Sequence, residues 1–139
     1  MYQKEYAATR PQMYDESSRK LKASNIIKIL SHYYGAKKLK TVNVLDVGAS
    51  SGIIDSFISD YVKSLVGIDI DKGAISHAKQ IFKKKNLLFK NDDALNLSFT
   101  NNSRKPLDFL IDTSFNNSKK LFFLFLLFKC RISSNSKLS

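Results

Sequence analysis

Asp46, Gly48, Ser50 and Gly52 fall within the run Val44-Leu45-Asp46-Val47-Gly48-Ala49-Ser50-Ser51-Gly52, where an apolar stretch gives way to a helical pattern. Glycine at such a junction lets a ligand lie against bare backbone. The free N–H groups of a helix start favour an anionic or hydrogen-bond-accepting group. Gly48 is expected to supply the tight turn and Gly52 the close approach. A carboxylate at the end of a buried strand is costly without a partner. Asp46 therefore needs one, and a cationic ligand would serve. A second acid, Asp69, closes Val66-Gly67-Ile68-Asp69, 21 residues after Gly48. A carboxylate so placed can accept both hydroxyls of a ribose. Two further acidic blocks follow, Asn91-Asp92-Asp93-Ala94 and Leu107-Asp108-Phe109-Leu110-Ile111-Asp112.

Two familiar readings of the glycine turn fail on their own terms. A dinucleotide fingerprint wants glycine at 48, 50 and 53, but Ser50 and Ile53 stand at the second and third of these. A nucleophile elbow, Gly-x-Ser-x-Gly, does match Gly48, Ser50 and Gly52. It requires an acid and then a histidine later in the chain, with more sheet to carry them. His77 is the sole histidine downstream, and it falls within the next helix.

The elements that must hold these residues alternate. A helix is predicted from Tyr14 to Gly35, capped by Asp15, with Ile26, Ile27, Leu30, Tyr33 and Tyr34 on one stripe. Gly35 is a left-handed stop. Val42 to Val47 reads as a buried strand. Ile53, Ile54, Phe57, Ile58, Tyr61 and Val62 predict a helix through about Lys63. A second strand covers Ser64–Asp69. Asp71 then caps a helix with Ala74, Ile75, Ala78 and Phe82 on one face, closed by Lys83-Lys84-Lys85. Leu87–Lys90 and Pro106–Asp112 are the third and fourth strands. Short strand–helix units of this kind imply right-handed crossovers and a parallel sheet, an α/β fold.

The motif blocks, taken in order, resemble the class I S-adenosylmethionine-dependent methyltransferases, most closely the broad type-11 group, over residues 14–112. The turn resembles their motif I, an acid two positions before the first glycine, with Ser50 where a central glycine is common. The resemblance implies a Rossmann-like parallel sheet with flanking helices and strand order 3-2-1-4. It implies S-adenosyl-L-methionine as cofactor; one cysteine and two histidines leave no metal site to expect. Asp46, Gly48, Ala49, Ser50 and Gly52 would form the turn beneath the methionine moiety. Asp69, with Ile70 beside it, would hold the ribose. Asp93 and Ala94 would meet the adenine, with Asp92 the neighbour that competes for that role. Asp112 would end near the transferred methyl. The family's chemistry is displacement of the sulfonium methyl by an acceptor nucleophile, in which the protein mainly positions and the cofactor reacts. No catalytic residue is assigned.

In this family the sheet continues beyond the fourth strand, and the later strands shape the acceptor pocket. Here the α/β pattern stops. All twelve acidic residues precede position 113, whereas residues 113–139 hold five of the 23 basic ones, with neither Gly nor Pro. The chain is therefore divided into a domain over 1–112, an incomplete class I fold, and an atypical Phe/Leu-rich basic tail over 113–139, expected to be a truncated or frame-shifted end. The acceptor is expected to be a small molecule. The alternatives are an RNA, suggested by the net charge of +11, or no acceptor at all, the chain being a cofactor-binding remnant.

Composition excludes other classes. With 43% hydrophobic and 25% charged residues, the 139-residue chain has a globular balance and the length of one domain. One cysteine, Cys130, rules out an internal disulfide framework and a multi-cysteine zinc site. His32 and His77 read as surface residues. Tyr6, Arg10 and Tyr14 are candidates for a lid without individual roles. The N-terminus has no apolar signal core, which makes a cytoplasmic address the default. The longest apolar run, Leu121 to Phe128, is far short of the ~20 residues that span a bilayer.

Overall fold

The computed structural model describes residues 16–93 and 107–113. Asp15, Ala94, Pro106, Cys130, the lid candidates and the tail beyond Thr113 lie outside the described residues. Helix α1 (Glu16–Tyr34) buries Ala23, Ile26 and Leu30, spaced to share one face. Tyr33, placed on that stripe by spacing, is 47% exposed. It packs edge-on against Tyr34, their ring centres 5.0 Å apart. Tyr34 is the residue that turns inward, its hydroxyl donating to the Asp108 carbonyl at 2.8 Å. Gly35 ends the helix with φ +82°, its N–H donating to the Ser31 carbonyl at 2.9 Å. A short 3-10 turn (Lys38–Thr41) then buries Leu39.

Strands β1 (Asn43–Val47), β2 (Ser64–Asp69), β3 (Leu87–Asn91) and β4 (Phe109–Asp112) form one sheet in the order β3-β2-β1-β4. Every neighbouring pair is parallel. Helices α2 (Ile53–Ile58) and α3 (Lys72–Ile81) connect β1 to β2 and β2 to β3. Alternation along each strand sends side chains to opposite faces. Val44, Leu65, Leu87, Phe89, Phe109 and Ile111 join Ala23, Ile26, Leu30, Ile54, Ile58, Ile75 and Ala78 in the main core. Leu45, Ile68 and Leu110 make a smaller cluster on the other face, with Val47, Val66 and Leu107 packed against it.

Two elements differ from the periodicity. Helix α2 ends at Ile58 instead of running to Lys63. Side chains from beyond β2 take the carbonyls around and beyond its end. Lys84 Nζ donates to the Ser56 carbonyl at 2.6 Å and to Asp60 Oδ1 at 2.7 Å. The Asn86 amide donates to the Ser59 carbonyl at 2.7 Å and the Val62 carbonyl at 3.3 Å. Val62 still reaches the core, at 2% exposure. β4 begins only at Phe109. Ahead of it the Asp108 carboxylate accepts from the Asn43 backbone N–H at 2.7 Å and its side-chain amide at 3.0 Å. That side-chain bond occupies a donor at the edge of the strand ladder.

Candidate functional site

The turn after β1 is pinned to β2. The Gly48 and Ala49 N–H groups both donate to the Ile68 carbonyl, at 2.8 and 3.0 Å. Gly48, Ser50 and Gly52 have φ of +79°, +50° and +74°. Ser50 is the one non-glycine with positive φ among the described residues, a conformation that costs about 1–2 kcal/mol for a residue with a Cβ. Its N–H donates to Asp69 Oδ2 at 2.8 Å, which holds the strained residue in place. Its buried Oγ has no hydrogen-bond partner. At Gly52 an added Cβ would sit 2.5 Å from Phe89 Cζ and 2.9 Å from Ala78 Cβ. The close approach expected there is thus made by the core, where the start of α2 presses on β3 and α3.

Asp69 bridges two segments. Besides Ser50, its Oδ1 accepts from the Asp71 N–H at 2.8 Å. A carboxylate has about four lone-pair sites, so two backbone donors leave capacity for others. Asp71 caps α3, its Oδ1 accepting from the Gly73 and Ala74 N–H groups at 2.8 and 3.0 Å. Ile70 stands 63% exposed between the two acids. The Asn91 amide donates to the Asp69 and Ile70 carbonyls at 2.8 and 2.9 Å, and the Asp92 N–H to the Asp69 carbonyl at 3.2 Å. Asp93 is exposed, its N–H donating to Asp92 Oδ1 at 2.9 Å. The fold therefore brings the Gly48–Gly52 turn, Asp69–Ile70 and Asn91–Asp93 to neighbouring strand ends.

Asp46 departs from the expectation of a ligand partner. It is fully buried, and its partners belong to the protein. Thr113 Oγ1 donates to Asp46 Oδ2 at 2.6 Å and the Thr113 N–H to Oδ1 at 3.1 Å. Burial pushes Asp46 up to about 6, and Asp112 adds to the rise, against the hydrogen bonds from Asp55 and Thr113. Thr113 Oγ1 also lies 3.1 Å from the Gly48 carbonyl. Lys22 of α1 donates to the Thr113 carbonyl at 2.7 Å. Burial, and then Arg19, lower Lys22, while Asp46 and Asp112 oppose the fall. Asp112 is itself buried at the end of β4.

Sequence reading missed Thr113, Asn91, Asp55 and Lys22. Thr113, the first residue of the tail that composition marks off, completes the sheet's end, its N–H donating to the Val47 carbonyl at 3.2 Å. A hydroxyl directly after a strand-end acid was the available signal. His32 and His77 are exposed, as expected of surface residues. Among the described residues no three His, Cys, Asp or Glu side chains are grouped to hold a metal ion, and no helix is long and apolar enough to cross a membrane.

A sequence model described as a methyltransferase domain matches residues 44–113. The match spans half of the chain, from β1 through Thr113, and the chain belongs to this family. Among solved structures, it is similar to the YcgJ protein of Bacillus subtilis, at 25% identity over 65% of this chain and 36% of that one, with a TM-score of 0.52. It is also similar in fold to the plantazolicin methyltransferase BpumL in complex with SAH, at 24% identity over 78% of this chain and 40% of that one, with a TM-score of 0.57. A complex of BpumL with a monoazolic desmethylPZN analog and SAH gives 21% identity, 86% and 46% coverage, and a TM-score of 0.60. The chain spans less than half the length of these structures. A search of curated proteins gives no match.

Proposed function

We propose that this chain carries the cofactor-binding part of an S-adenosyl-L-methionine-dependent methyltransferase. The observation that carries the reading is the Ser50 N–H to Asp69 Oδ2 bond, which draws the acid of β2 over the glycine turn of β1. Asp69 keeps acceptor capacity for a ribose, and Ile70 offers an exposed apolar surface for the adenine beside it. Gly48, Ala49, Ser50 and Gly52 would lie beneath the methionine moiety. Asp93 and Ala94 would meet the adenine. Asp46 contributes from behind the turn. When bound, the cofactor supplies an electrophilic methyl on a sulfonium. The residues here bind and orient it.

Titration calorimetry of the whole chain with S-adenosylmethionine and S-adenosylhomocysteine tests this. Saturable binding that weakens by about tenfold or more in Asp69→Ala supports the reading, and no binding to folded protein overturns it. A small-molecule acceptor is the preferred substrate class. The net charge of +11 is the one observation favouring RNA instead. RNA affinity that falls steeply with salt and survives removal of residues 114–139 would decide for it.

A further inference from the structure

Asp55 sits on α2, fully buried. Neither of its carboxylate oxygens has a hydrogen-bond partner while both acids are ionised, yet it faces Asp46 within hydrogen-bonding reach. Two carboxylates offer only acceptors to each other. Their contact is repulsive until one takes a proton and becomes a donor. Room for this contact is built into β2, because a Cβ on Gly67 would collide with Asp55 Oδ2. Thr113 donates to both oxygens of Asp46, which favours charge on Asp46. Asp55 has no such donor.

We propose that Asp55 is a positioning residue that keeps a proton at neutral pH and donates it to Asp46, so that a buried acid pair clamps both flanks of the Gly48–Gly52 turn. Asp46 lies two residues before Gly48 and Asp55 three after Gly52. Their bond closes the turn across its base. The surroundings are consistent with a single negative charge. β4 brings Asp112, α1 brings Lys22 with Arg19 behind it, and β2 and β3 bring Gly67 and Phe89, which do not titrate. Both acids are raised, burial being the largest cause. The sign follows from linkage. A proton held more tightly in the folded state contributes stability that is full below the ordinary carboxylate value of about 4. It is lost as pH rises through the raised folded values. Only the consequence for ligand binding rests on the cofactor reading. The proton does not.

Carboxyl carbon NMR of the whole chain with labelled aspartate, titrated from about pH 5 to about pH 9, tests the pair. One aspartate resonance is expected to keep its protonated position at neutral pH and to vanish in Asp55→Asn. That variant retains a donor to Asp46 that does not titrate. The denaturation midpoint of the wild type should fall across the same range, and the slope should flatten at least about twofold in Asp55→Asn. S-adenosylhomocysteine affinity should weaken in step with the wild-type midpoint and lose that pH dependence in the variant. All aspartates ionised at neutral pH would overturn the proposal, and this measurement on the wild type stands even if the variant fails to fold. A protonated Asp55 without cofactor binding would leave the pair and remove the cofactor reading. Cofactor binding with every aspartate ionised would do the reverse.

Discussion

Asp46 and Asp69 stand near the ends of adjacent parallel strands, and they are put to opposite uses. Asp46 is fully buried, and its donors come from Thr113. Asp69 is partly exposed and accepts from the Ser50 and Asp71 backbones. The residue opposite each acid explains part of the contrast. In the sheet register Asp46 pairs with Gly67, and Asp69 with Asn91. The missing side chain at Gly67 admits Asp55, which seals Asp46 inside a pair. The Asn91 amide instead ties down the backbone around Asp69 and leaves that residue partly exposed. A strand-end acid becomes a fastening or a binding group according to what the neighbouring strand leaves open.

The comparison breaks most readily at Gly67. Gly67→Ala places a Cβ against Asp55 Oδ2 and within 2.8 Å of Ala49 Cβ. Overpacking of this sort is expected to cost about 3 kcal/mol, read from urea unfolding at neutral pH. Near-wild-type stability would mean that Asp55 has room elsewhere. On the other side, Asp69→Ala should weaken S-adenosylhomocysteine binding by about tenfold to a hundredfold while the fold persists, since bonds to a charged group are worth about 1.5–3 kcal/mol. Calorimetry on the variant measures it, and unchanged affinity would strip Asp69 of its role. Thr113→Val removes one of the two donors from Asp46. A loss of about 1–2 kcal/mol is expected, together with a further rise of Asp46 seen in its carboxyl titration. The smallest effect is at Ser50. Glycine there relieves the left-handed strain, while Oγ has no hydrogen bond to lose. Ser50→Gly should stabilise by up to about 1 kcal/mol in thermal unfolding, and destabilisation would reveal a partner for Oγ.

Much of the frame was legible because it depends on local patterns. Apolar β-branched runs marked β1 and β2, and Asp71 and Gly35 mark helix ends with the capping geometry that their residue types favour. The strand order 3-2-1-4 came from family resemblance and is the order observed. What escaped reading depends on distant partners. The short α2 is set by Lys84 and Asn86, more than 20 residues further on. The inward life of Asp46 is set by Thr113, 67 residues away. Asp55 falls outside the apolar positions that helical spacing selects, Ile54, Phe57 and Ile58 among them. Only the absence of a side chain at Gly67 shows why it points into the protein.

The span from Asp46 to Thr113 also has a temporal meaning. During vectorial synthesis β1, β2 and β3 emerge before β4, and long-range pairings of this kind form late. Until β4 docks, the donors that Thr113 supplies to Asp46 do not yet exist for the nascent sheet, and the Lys22 contact across 91 residues cannot lock α1 over them. A ribosome-borne intermediate ending near β3 should therefore hold its acids in water and stay loose. On this order of events, the arrival of Thr113 is the step at which Asp46 gains its donors.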